Sequence, residues 1–129
     1  MTGVGVVQRV ENGVIAALAM TAAALLYPKW WWMPLAAFVL FDLSALGYLR
    51  SPSAGAFFYN LVHNYTGPAL AATAALLTAP SLSALSTVFG LAACSWAFHI
   101  GADRVLGYGL KHSEGFTHTH LGRIGRGRR

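Results

Sequence analysis

Four apolar blocks separated by short turns take up most of this 129-residue chain, and a chain this small has no core large enough to hide them from water. Only 10% of the residues are charged, against about 25% in an average soluble domain. A bilayer is the solvent this pattern demands.

The first block covers residues 13–27 and can extend back through Val10, Val7 and Val6, close to the ~20 residues a span needs. Pro28 and Lys29 close it. Trp30, Trp31 and Trp32 follow, indoles suited to the headgroup layer. Arg9, a short apolar run and small residues at 22–24 also fit a cleaved signal peptide, but a retained helix is the preferred reading. The second block, residues 33–49, has Pro34 where a first helical turn tolerates it, and Arg50, Ser51, Pro52 and Ser53 form a turn. The third, residues 55–79, contains Gly67 and Pro68, which predict a kink and a backbone carbonyl in need of an internal partner. The fourth begins near Leu82 and continues through Phe98 towards Tyr108. The expected fold is an all-α, four-helix transmembrane bundle over residues 1–110 with a basic Gly/Arg/His tail over 111–129.

The net charge of +5 is local: six of the nine basic residues lie at or after Arg104. Such a tail behind an apolar body reads as a cytoplasmic anchor near anionic lipid, and a nucleic-acid partner is not expected. With four crossings, Arg9, Arg50 and the tail fall on one side and Lys29 alone on the other, which puts both termini in the cytoplasm. The stretch 122–129 is expected to be mobile. Cys94, the only cysteine, permits no internal disulfide and no paired-cysteine metal site.

Each ionisable residue within a span costs about 2.5–3.5 kcal/mol, so Asp42, His63, His99 and Asp103 need a partner or a purpose. At 1.5 Å per residue Asp42 lies about 10 Å, His63 and His99 about 12 Å, and Asp103 about 6 Å from the cytoplasmic side. Three helices thus converge on one layer. Two imidazoles and two carboxylates suit a divalent metal such as zinc, iron or manganese. Tyr59, Asn60 and Asn64 share a polar stripe with His63, and with His120 they are the residues expected to act on substrate; Ser95 joins as an outer contact. His120 and His118 can cap the site from the cytoplasm, or simply belong to a solvated segment with His112. Arg104 is expected to snorkel to phosphate or to pair with a carboxylate. The plainer alternative pairs Asp42 with His63 and His99 with Asp103 as buried hydrogen bonds that fix register. A bis-His haem clamped by His63 and His99 is disfavoured by the neighbouring aspartates.

The stretches FDLSALGYL (41–49), GAFFYNLVHNY (55–65), HIGADRVLGYGLK (99–111) and THLGRIG (119–125) resemble a family of small bacterial integral membrane proteins of unknown function, over residues 11–126. The resemblance implies a multi-pass protein of the bacterial inner membrane. More loosely, the placing of Asp and His on membrane helices is similar to inner-membrane metal-dependent hydrolases, although no uninterrupted hydrolase motif is present. That likeness implies that Asp42, His63, His99 and Asp103 hold an ion that activates water against an ester or phosphoester. Membrane lipid is the expected partner. The competing reading is an accessory subunit of a larger membrane complex, with Trp30–Trp32, Phe57, Phe58 and Trp96 as lipid, pigment or subunit contacts. Proton or ion transfer through the Asp/His layer is a third, and needs several copies or partner helices.

Overall fold

A computed structural model describes residues 3–81 and 83–125. Leu82, the expected start of the fourth block, and the last four tail residues lie outside the described residues. Among the described residues the regular secondary structure is helical apart from one short hairpin. Helices α1 (Gly3–Leu26), α2 (Met33–Ala36), α3 (Phe38–Asp42), α4 (Pro52–Val62), α5 (Thr66–Thr78) and α6 (Ser83–Leu106) are followed by β1 (His118–Thr119) and β2 (Gly122–Arg123).

Three segments, Gly3–Leu26, Pro28–Leu49 and Ser83–Leu106, are long and apolar enough to cross a membrane. The expected fourth span is not among them, because the third block is broken into helices of 11 and 13 residues, each short of the ~20 a span needs. The second block is also less regular than expected: α2 and α3 give way to a 3-10 stretch at Leu43–Leu49.

The break in the third block falls at residues 63–65, ahead of the expected kink at Gly67 and Pro68. The reason is local. Pro68 sits in the first turn of α5, where a missing N–H costs nothing, so the helix restarts in front of it. Asn64 stitches the gap, its Nδ2 donating to the carbonyls of Asn60 (2.8 Å) and Leu61 (3.0 Å) while its Oδ1 accepts from the Thr66 N–H (2.9 Å). Two freed carbonyls find donors on α6: Trp96 Nε1 donates to Val62 O (2.6 Å) and Arg104 to His63 O (3.3 Å). Trp96, half-buried, thus ties α6 to the end of α4, and Arg104 serves a carbonyl and makes no carboxylate pair among the described residues. Ser51 starts α4 by accepting from the Ala54 N–H (3.0 Å), with Pro52 in the first turn.

Helix α6 is the central element, packed against α1, α5, α2 and α3, while α4 lies on the 3-10 stretch. Small residues allow the closest approach. A Cβ added at Gly101 would meet the Asn12 carbonyl oxygen at 2.7 Å and the Ala16 nitrogen at 3.0 Å, so α1 and α6 touch backbone to backbone. The outward faces are apolar: Leu25, Leu26, Val39, Leu49, Leu76 and Leu77 are all exposed, as acyl-chain contacts require.

After α6 the chain reverses at Gly107, whose φ of 101° suits glycine, with the Tyr108 N–H bonded to Asp103 O (2.8 Å). Of the stretch 122–129 expected to be mobile, Gly122 and Arg123 are paired with Thr119 and His118 in the hairpin, and Thr119 Oγ1 donates to Gly122 O (2.7 Å).

Replacing Gly101 by Ala is expected to lower stability by about 1–3 kcal/mol through overpacking, because a backbone neighbour cannot step aside. Thermal unfolding in detergent checks this, with Gly3→Ala, which meets nothing within 4 Å, as the unaffected control.

Candidate metal centre

Asp42 ends α3, His63 follows the last turn of α4, and His99 and Asp103 lie one turn apart on α6. The helix break brings His63 to the other three. One ligand atom from each of the four residues lies within 4.8 Å of all the others.

The two imidazoles face each other, with His63 Nε2 2.9 Å from His99 Nε2. Asp42 Oδ1 lies 3.7 Å from His63 Nε2 and 3.6 Å from His99 Nε2; Asp103 Oδ2 lies 3.6 and 3.8 Å from the same two atoms. Each carboxylate thus serves both histidines, and the discrete pairing of Asp42 with His63 and His99 with Asp103 is not what forms. Donors ~2.0–2.2 Å from a tetrahedral ion stand ~3.3–3.6 Å apart; the carboxylate–imidazole separations lie at or just above that range and the imidazole pair below it.

Outer contacts set the donor atoms. The Tyr59 carbonyl, 2.9 Å from His63 Nδ1, can only accept, so Nδ1 carries the proton and Nε2 presents its lone pair to the cluster. Tyr59 also donates its hydroxyl to Asp103 Oδ2 (2.9 Å) and stacks its ring on the His63 imidazole at 3.6 Å. Phe38 and Phe41 pack against His99, with ring centroids 4.4 and 5.2 Å away. His99 Nδ1 is buried without a hydrogen-bond partner among the described residues, so Nε2 is its only engaged nitrogen. Both imidazoles are shut away, whereas the Asp42 side chain is 47% exposed. That open side faces a cleft of about 420 Å³ lined by Phe38, Asp42, Ala45, Tyr59, Asp103, Leu106, Tyr108 and Phe116. A facing Nε2 pair at 2.9 Å can share one proton or one ion, but it leaves no gap for a haem macrocycle.

The remaining expected residues make hydrogen bonds to the main chain or lie buried beside the cluster. Asn60 clasps the returning tail, donating to Lys111 O (2.8 Å) and accepting from Lys111 N–H (2.7 Å). Asn64 bridges the helix break. His120 Nδ1 accepts from the Leu110 N–H (2.8 Å) and its ring packs against Gly109, so it holds the turn of the tail. Ser95 is buried on α6 one turn before His99.

Lys111 stands in the sequence as one basic residue of the tail. It is buried at 4% exposure, and its Nζ has no hydrogen-bond partner among the described residues. The ammonium lies over the rings of Phe116 (3.9 Å), Tyr59 (4.6 Å) and Tyr108 (5.4 Å). Burial pulls its pKa down from 10.5 to about 8, against the opposing pull of the Asp103 and Asp42 carboxylates. The only sequence hint was the pair of glycines at 107 and 109 that lets the chain fold back.

A family model described as Domain of unknown function (DUF4260) matches residues 5–124. The chain belongs to this family. No curated protein and no solved structure matches it. The matched range takes in all four cluster residues, Lys111 and the hairpin, and its description attaches no activity to them.

Because the folded pKa of Lys111 lies below the ordinary lysine value, the unfolded chain holds a proton that the folded chain has lost between about pH 8 and 10.5. Stability from this residue therefore rises with pH across that window. The wild-type unfolding temperature in detergent is expected to climb from pH 8 to pH 10 relative to Lys111→Met; parallel profiles would remove the burial argument.

Proposed function

We propose that this protein is a metal-dependent hydrolase of the bacterial inner membrane in which α4 and α5 together make a fourth, broken crossing, so that both termini are cytoplasmic, and that it acts on an amphipathic ester or phosphoester that enters from the inner leaflet. The observation that carries the reading is the facing Nε2 pair at 2.9 Å, flanked on both sides by carboxylates, inside an apolar bundle. Asp42, His63, His99 and Asp103 are the ligands, with zinc, iron or manganese the ions their mixed nitrogen and oxygen donors favour. A bound ion supplies polarisation of the scissile ester and a water of lowered pKa.

The chain's own residues do the rest. Tyr59 orients both His63 and Asp103. Asp42, open to the cleft, is the ligand beside which substrate and water have access. The aromatic and apolar wall excludes bulk water from the buried histidines. Packing against partner subunits does not by itself call for four converging titratable groups, which is why their convergence favours the enzyme over that second reading.

Elemental analysis of protein purified in detergent is expected to find one ion per chain. His63→Ala and His99→Ala should lose it, and Tyr59→Phe should weaken its affinity about 10- to 100-fold. Hydrolysis of a chromogenic long-chain phosphodiester should stop on chelation and return with the ion. Protein that takes up no divalent ion at any concentration tested would contradict the proposal.

A further inference from the structure

The metal reading leaves one group unused: the buried Lys111 ammonium, which has no oxygen acceptor within hydrogen-bonding distance among the described residues. A buried cation is costly unless something answers it. Three rings answer it in part, and the same three rings, Tyr59, Tyr108 and Phe116, line the cleft beside Asp42 and Asp103. The positive charge therefore acts on the cleft from its wall, across the thickness of an aromatic ring, in a medium that screens it poorly. Its position is built, since Asn60 holds the Lys111 main chain by two hydrogen bonds and the bridge between Lys111 and Thr119 fixes it from the tail.

The charge balance narrows the ligand. A divalent ion held by two carboxylates and two neutral imidazoles is electrically neutral, so Lys111 leaves the pocket with one net positive charge. A guest with one negative charge balances it, whereas a neutral or zwitterionic guest does not. The cleft is otherwise apolar, with Phe38, Ala45 and Leu106 on its wall, and Leu106 is exposed on the outer surface of α6. Chains can leave by that side while the anionic group stays in the cleft beside the ion, with the ring wall between it and Lys111.

Resting on the metal reading above, we propose that the substrate is an amphipathic phosphodiester, a lipid with a single negative charge at its headgroup, and that Lys111 recognises that charge. Lys111 is a recognition residue. It touches none of the four ligands, and its loss leaves the ion in place.

The test measures binding, so it does not depend on turnover. Zinc-loaded protein in detergent is titrated with dihexanoyl phosphatidylglycerol, a monoanion, and with dihexanoyl phosphatidylcholine, a zwitterion with the same chains. The anionic lipid should bind at least about tenfold more tightly, as a poorly screened positive charge behind the ring wall provides. Lys111→Met should abolish that preference by weakening the anion alone, and Lys111→Arg should keep most of it, with zinc content unchanged in both. Glycerophosphoglycerol, the headgroup without chains, should compete at least about tenfold less well, since the apolar wall contributes to binding. Zinc bound with equal affinity for the two lipids, or a preference that survives Lys111→Met, overturns this inference and leaves the metal reading standing. Equal competition by the chainless headgroup overturns the lipid assignment. A sample that binds no zinc overturns both.

Discussion

Holding two carboxylates and two imidazoles within 4.8 Å of one another inside an apolar bundle is the constraint to which the rest of this structure answers. Each such group is expensive to take from water, and like charges packed together raise the cost further. The surrounding elements supply what offsets it. Tyr59 donates to Asp103 and accepts from His63, Phe38 and Phe41 enclose His99, and Lys111 places a positive charge against the outer side of the same aromatic wall.

The broken third block has its explanation in the same constraint. A continuous helix would bury all its carbonyls in its own hydrogen bonds and fix His63 at a helical position. Interrupting it at residues 63–65 frees the carbonyls of Val62 and His63, which Trp96 and Arg104 take up, and ties α4 to α6 at the level of the cluster. Irregular backbone inside an apolar structure is tolerated where other protein groups satisfy it, as Trp96 and Arg104 do here. The tail belongs to the same design: the turn at Gly107 brings Lys111 back onto Asn60, so the segment after the last span closes one wall of the cleft.

Much of the site was legible from the sequence because intramembrane ionisable residues are rare and stand out. Asp42, His63, His99 and Asp103 were selected by their cost and their matching depths, and the geometry brings all four together. Membership of a family of unknown function was legible too, from segments spread along the chain. Helix regularity was not. Periodicity marks an apolar run but says little about a mid-block restart in front of Pro68 or a 3-10 stretch at Leu43–Leu49, both of which depend on contacts with distant residues. Asn60 and Asn64 stood out as polar, yet their hydrogen bonds go to backbone, a distinction that residue type does not encode. Lys111 was hidden for the opposite reason, because a lysine in a basic tail looks solvated until the chain is seen to fold back.

The central claim is that one ion sits among these four side chains. X-ray absorption at the edge of the ion bound to purified protein tests it most directly. The account predicts imidazole scattering from two histidines together with oxygen donors, at about 2.0–2.2 Å for zinc. A sulfur neighbour, which only Cys94 or a methionine could provide, or a shell of oxygen atoms with no imidazole, would contradict it.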